Sequence, residues 1–316
     1  MRTASVCAAL CLAAVLCPSV GAAPINLNSA TAPAPTFVGD PSRFAVGAGN
    51  VVTASYDTSA ATAFARWSLG DVINQNRSFD MQVRFALPSD FYTSGAGGGQ
   101  ISFGLINTQG PVGQRTGTNR DGGPDFTGTS GTAYNHIGFD YFPSVSAFSE
   151  RTVGPVVIQS FTGDTADFYS RIAFPFGRET ALNDGGGEVD RLPAGATLRA
   201  ELNYDAAVRT LTLRLIDETT GDPLNINGIG AGNPPGSGGA DGDAFTIQNV
   251  LPAGADFAVD TFALTLWQIT DTPTVADVVF QSFSVVSPVP IPEPSAVVLF
   301  AAAAGLGLWR LRRRAA

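Results

Sequence analysis

The side chains able to do chemistry are few, and their spacing narrows what they could do. His136 is the one histidine of the chain. It opens the run His136-Ile137-Gly138-Phe139-Asp140, where His136 and Asp140 fall on one face of a period-2 strand. An imidazole and a carboxylate side by side are metal donors. One histidine also serves as a hydrogen-bonded strand residue, and that structural role is the expected one. Aspartates recur in pairs within glycine-rich stretches: Asp121 with Asp125, Asp164 with Asp167, and Asp241 with Asp243. Hard carboxylate oxygens in such loops are calcium donors, which makes Asp121, Asp125, Asp241 and Asp243 the candidate Ca²⁺ ligands. No stretch fits the twelve-residue EF-hand pattern, and loop aspartates also form Asx-turns and keep a surface solvated. The turn role takes precedence, and no other cofactor is implied.

Nucleophilic catalysis finds little support. Cys7, Cys11 and Cys17 all lie in the first 17 residues, so the body of the chain has no thiol. That removes cysteine nucleophiles, zinc–thiolate sites and disulfides from it. A Ser-His-Asp triad would have to be built on His136, and no Gly-x-Ser-x-Gly elbow occurs. Charge narrows the partners as well. Residues 24–290 hold 13 arginines against 26 acidic residues, a net charge of −13. Such a surface repels a phosphate backbone, so nucleic acid is not an expected partner.

Both ends of the chain are addresses. Arg2, the apolar run Val6–Leu16 and the small residues Val20-Gly21-Ala22-Ala23 make a secretory leader. Cleavage after Ala22 places Val20 and Ala22 in the two recognition positions, whereas a cut after Ala23 would put Pro24 next to the scissile bond. Cys17 is no lipidation site, because Leu16 stands where a small residue is needed. At the other end Pro288, Pro290, Pro292 and Pro294 alternate and favour an extended linker. Ser295–Trp309 is an apolar stretch that, as a helix, spans about 22 Å, a short transmembrane segment. Arg310, Arg312, Arg313 and Arg314 follow and hold their end in the cytoplasm. The organisation expected is a leader 1–22, a folded body 23–287, a Pro-rich linker 288–294, a transmembrane helix 295–309 and a tail 310–316.

The body reads as strands. In 78–87 the large residues Phe79, Met81, Val83, Phe85 and Leu87 alternate with Asp80, Gln82, Arg84 and Ala86, the mark of a half-buried strand. Similar alternation marks 100–107, 136–142, 197–204, 210–216, 257–267 and 277–286. A hairpin turn is expected at Asp205-Ala206-Ala207. The glycine-rich pieces 94–99, 110–131, 184–187 and 228–242 fall between strands and read as loops. With no helical period and no internal repeat, the fold class is all-β, one antiparallel β-sandwich.

Two resemblances sharpen this reading. Pro292-Glu293-Pro294, the apolar helix and the terminal arginines resemble the PEP-CTERM sorting signal of Gram-negative bacteria. That resemblance implies export by the Sec translocon, transient anchoring in the inner membrane and recognition of the tail by an exosortase. The final place it implies is the cell surface or the extracellular matrix, often beside exopolysaccharide in a biofilm. The body resembles the concanavalin A-like jelly roll of lectins and glucanases. The resemblance rests on Gly98-Gly99-Gln100-Ile101-Ser102-Phe103-Gly104-Leu105, on the pair Leu198–Tyr204 and Leu211–Leu215 around Tyr204-Asp205, and on Phe280-Gln281-Ser282-Phe283-Ser284. Lectins of this class bind sugar through an Asp just before the Gly-x-aliphatic-Phe strand, where this chain has Gly99-Gln100. The glucanases place Glu-x-Asp-x-Glu along one strand for acid and nucleophile. Here Glu188-Val189-Asp190-Arg191-Leu192 ends in leucine. The expected function is thus a non-enzymatic exported surface protein associated with exopolysaccharide. The alternative is a glucanase-like glycosidase on the same fold.

Overall fold

The computed structural model describes residues 25–56, 63–91, 99–108, 113–114, 132–133, 136–142, 152–160, 166–168, 192–224, 226, 245–251, 257–268 and 277–288. Along the chain the strands are β1 (Ile25–Asn28), β2 (Thr36–Val38), β3 (Phe44–Val46), β4 (Val52–Ala54), β5 (Phe64–Asn74) and β6 (Phe79–Ala86). Next come β7 (Gly99–Ile106), the two-residue β8 (Gly113–Gln114) and β9 (Thr132–Ala133), β10 (His136–Phe142), β11 (Thr152–Ser160) and β12 (Ala166–Phe168). The last are β13 (Thr197–Asp205), β14 (Thr210–Asp217), β15 (Thr246–Val250), β16 (Ala258–Gln268) and β17 (Val278–Ser287).

These strands form two large antiparallel sheets. One runs β15-β14-β13-β6-β17-β4-β3, with β1 also on β17, and is called the β6 sheet below. The other runs β12-β11-β10-β7-β16-β5-β2 and is called the β7 sheet. The chain passes repeatedly between them, since β4 and β6 belong to one sheet and β5 and β7 to the other. Every described pairing is antiparallel. The described strands and the segments joining them fall within one compact unit, Ile25–Pro288.

Alternation is what makes the sandwich. In β6 the side chains of Phe79, Met81, Val83 and Phe85 are buried while those between them face outward. β13 and β14 follow the same rule with Leu198, Leu202 and Tyr204 and with Leu211, Leu213 and Leu215. Rings from the two sheets interlock between them. Phe283 of β17 lies 4.6 Å from Trp67 of β5 and 4.6 Å from Phe262 of β16. Phe85 of β6 meets Phe103 of β7 at 5.6 Å and Phe139 of β10 at 5.9 Å. Such pairs add about 0.5–1.5 kcal/mol each to the burial of their area.

The expected strands are present with ends displaced by a residue or so, and several details differ. Asp205 pairs with Thr210, so the hairpin turn is the four residues 206–209 rather than Asp205-Ala206-Ala207. Asp205 still shapes it, because its Oδ1 accepts from the Ala207 amide at 2.9 Å. Gly99 begins β7 instead of ending a loop, and β8 pairs with β9 inside and just beyond the stretch 110–131. Asp167 lies on the strand β12, opposite Gln159, where a loop was expected. β5 breaks its alternation with a bulge: Thr261 pairs with Ser68 and Val259 with Ile73, and Gly70 sits at φ 77°. Among the described residues no helix is long and apolar enough to cross a membrane. Residues 1–22 and 289–316, which include the expected leader and membrane segment, lie outside the described residues.

Candidate functional site

The two sheets differ on the faces turned away from the shared core. The outer face of the β6 sheet is wet and charged. There Arg199 reaches Glu201 at 3.0 Å and Glu218 at 2.9 Å, Arg84 reaches Glu218 at 3.2 Å, and Arg214 stands 4.0 Å from Glu201. These side chains are all partly exposed, and such a network is an ordinary solvated surface.

The outer face of the β7 sheet is buried, with an apolar cluster of Phe64, Ile106 and Ala263 beside polar side chains. Strand periodicity sends Ile101, Phe103 and Leu105 of β7 and Ile137, Phe139 and Tyr141 of β10 into the core, so Gln100, Ser102, His136 and Asp140 point the other way. Register then sets them in rows. Asp140 lies opposite Ser102, which lies opposite Thr265 of β16. Gly138 lies opposite Gly104, which lies opposite Ala263. His136 lies opposite Ile106, which lies opposite Thr261. Gln100, Ser102, His136 and Thr265 are each no more than 1% exposed, and Asp140 is 4%. Charged and polar groups are rarely buried to this degree unless something nearby satisfies them.

The central row of the face is bare for a steric reason. A Cβ on Gly104 would stand 2.5 Å from the Gly138 Cα and collide with the Ile137 carbonyl. A Cβ on Gly138 would stand 2.7 Å from the Gly104 Cα and collide with the Phe103 carbonyl. The His136 ring occupies the space so freed, its Nε2 2.7 Å from where a Gly104 Cβ would be. The two glycines therefore form a cradle for the imidazole, flanked by Asp140 and Ser102 one pleat along the strands.

Some of these polar atoms are satisfied within the sheet. Thr265 Oγ1 donates to the Ala63 carbonyl at 2.6 Å. Asp260, at the register break of β16, accepts from the Thr108 amide at 3.0 Å, the Thr108 hydroxyl at 2.8 Å and the Thr261 hydroxyl at 2.7 Å. Gln100 Oε1 and Ser102 Oγ are buried and make no hydrogen bond among the described residues. A buried acceptor without a donor costs about 1–3 kcal/mol.

The sequence-predicted residues fare unevenly. His136 and Asp140 do share a face, as their spacing required, and β7 brings Gln100 and Ser102 beside them. The candidate calcium ligands Asp121, Asp125, Asp241 and Asp243, with Asp164, lie outside the described residues. So do Pro292, Glu293, Pro294, Arg310, Arg312, Arg313 and Arg314 of the sorting signal. Among the described residues no group of three or more His, Cys, Asp or Glu could hold a metal ion. Leu192, which replaces the last glutamate of the glucanase pattern, is fully buried in the core, and its amide donates to the Tyr141 hydroxyl at 3.3 Å. Thr265 and Asp260 were not read as site-adjacent from sequence. The signal available was their place on the outward phase of β16 and at its irregularity.

Elsewhere, two ionisable groups depart from their usual range. Burial pushes the Tyr56 phenol well up, reinforced by the neighbouring Tyr141. The Asp71 carboxyl on the β5 bulge is held low by the Val72 amide first and the Arg77 guanidinium second.

No protein-family model matches this chain, and no curated protein matches it. Among solved structures it is similar to legume lectins. Basic winged bean lectin, solved with Tn-antigen, is 11% identical, with 84% of this chain and 99% of that one covered and a TM-score of 0.49. Lectin II from Ulex europaeus is 13% identical, with 83% and 97% covered and a TM-score of 0.45. The lectin from Bauhinia forficata, in complex with GalNAc, is 13% identical, with 84% and 98% covered and a TM-score of 0.45.

Proposed function

We propose that this chain is an exported, non-enzymatic surface protein associated with exopolysaccharide. The observation that carries the reading is Leu192, fully buried in the core where the glucanase pattern needs its last carboxylate, together with the sorting-signal residues Pro292, Glu293, Pro294, Arg310, Arg312, Arg313 and Arg314. Leader 1–22 would carry the chain through the Sec translocon. The tail from Pro292 would anchor it in the inner membrane until an exosortase releases it to the cell surface or matrix.

Carboxylate spacing supports binding over hydrolysis. Two buried acids among the described residues are Asp140 and Asp260. Asp140 is level with Thr265 and Asp260 lies five residues from Thr265 along β16, so they stand about 17 Å apart along the strands. Glycosidases hold their two carboxyls about 5–9.5 Å apart. Asp260 is also committed to Thr108 and Thr261.

The test is co-sedimentation of the exported protein with the exopolysaccharide of the organism that makes it, in calcium and in EDTA. Pelleting in both conditions is the expected result. Pelleting that EDTA abolishes would promote Asp121, Asp125, Asp241 and Asp243 to calcium ligands. Absence from the pellet in both would overturn the glycan reading for that polymer.

A further inference from the structure

The outer face of the β6 sheet carries a pattern that packing does not require. Register lines up one outward side chain from each of six strands: Asn26, Val286, Asp80, Asn203, Thr212 and Gln248. At about 4.8 Å per strand this row is about 24 Å long. Two residues along the strands, about 7 Å away, a second row runs through Ser284, Gln82, Glu201 and Arg214. Asn26, Asp80, Gln82, Asn203 and Arg214 are exposed, and the others in the two rows are half-buried.

Asparagine and aspartate are among the residues that strands use least. Here Asn26, Asp80 and Asn203 all stand within strands, in one row, pointing outward. β6 and β13 are interior strands, so Asp80 and Asn203 do not serve to blunt a sheet edge. Asn203 Nδ2 donates to Asp80 Oδ1. Asn26, Gln82, Thr212 and Gln248 make no side-chain hydrogen bond among the described residues and turn their donors and acceptors to solvent. Residues that work against their own element mark a place kept for function.

Charge says what lies there. Arg84, Arg199 and Arg214 on this face are matched by Asp80, Glu201 and Glu218, three against three. The face is thus neutral, on a body whose residues 24–290 carry a net charge of −13. A charged polymer of either sign finds no field here to hold it. Amides and hydroxyls both donate and accept hydrogen bonds, as sugar hydroxyls do. We infer that this face is the docking surface for an uncharged, extended polysaccharide lying across the strands along the two rows. The inference rests on the reading of the chain as an exopolysaccharide-associated protein, and it adds the surface and the charge class of the polymer. No aromatic ring stands in either row, so many modest hydrogen bonds hold the polymer and affinity grows with the length engaged.

The experiment splits the exopolysaccharide of the producing organism by anion exchange into uncharged and acidic fractions. Retardation of the exported protein is then measured in native gels containing each. A triple variant, Asn26→Ala, Gln82→Ala and Asn203→Ala, removes three exposed amides and leaves the core untouched. The uncharged fraction is expected to retard the natural protein and to bind the variant on the order of tenfold or more weakly, at an unchanged urea midpoint. Undiminished binding by the variant would overturn the face and leave the exopolysaccharide reading intact. Retardation by the acidic fraction alone would do the same. A dimer in sedimentation velocity that the variant abolishes would make the face a contact between copies and overturn the proposal. No retardation by either fraction would overturn the exopolysaccharide reading, and this inference with it.

Discussion

Gly104 and Gly138 are where one missing atom matters most. Their Cα atoms face each other across β7 and β10, and the His136 ring fills the space above them. Gly104→Ala or Gly138→Ala would push on backbone carbonyls that cannot move without parting the strands. Each is expected to destabilise the protein by about 1–3 kcal/mol, read as a lower urea midpoint at unchanged slope. Gln100 should behave in the opposite sense. Its side-chain oxygen is buried with no donor among the described residues, so Gln100→Leu should leave stability unchanged or raise it by up to about 1 kcal/mol. Asp71 gives a pH prediction. Its Oδ2 lies 2.9 Å from the buried Arg77 guanidinium, and its folded-state pKa is lowered. The stabilisation it supplies is present above the unfolded value near 3.9 and is lost as pH falls through the lower folded value. Asp71→Asn should therefore cost about 0.5–1 kcal/mol at pH 7, a difference that shrinks to nothing at the acid end of a pH series of unfolding curves.

Elements joined by rings should be the stiffest parts of the molecule. Phe283 touches both Trp67 and Phe262, so it ties β17 to β5 and β16 across the sandwich. Phe283→Ala should cost about 3–5 kcal/mol in chemical unfolding, far more than truncating the exposed Val208. Strands were legible in the sequence wherever alternation ran unbroken, as in β6 and β13, and in the longer part of β17 after its irregularity at Gln281-Ser282. β5 was not, because the bulge at Gly70 throws its two halves out of phase. β11 was hidden by Gly154 and Pro155, residues that ordinarily mark a break, although Pro155 pairs opposite Phe139. β2, β3 and β4 are three residues each, too short to show any period. The candidate site was half legible. That His136 and Asp140 share a face follows from counting by twos along one strand. That Gly104, Ser102 and Thr265 stand beside them is a matter of register between strands far apart in sequence, which no local pattern records.

At the scale of the whole molecule the sandwich is two-faced. The β6 sheet turns a partly exposed lattice of arginine and glutamate to water, and the β7 sheet keeps Gln100, Ser102, His136, Asp140 and Thr265 buried. With 26 acidic residues against 13 arginines in 24–290, the body attracts neither nucleic acid nor an anionic polymer by charge alone. Recognition of a glycan would have to come from directed hydrogen bonds made by exposed side chains. Amide hydrogen exchange of the exported protein, with and without the exopolysaccharide, tests this most directly. The account predicts added protection at amides near the surface of the body, outside the buried rows of β7 and β10. No added protection anywhere would contradict it.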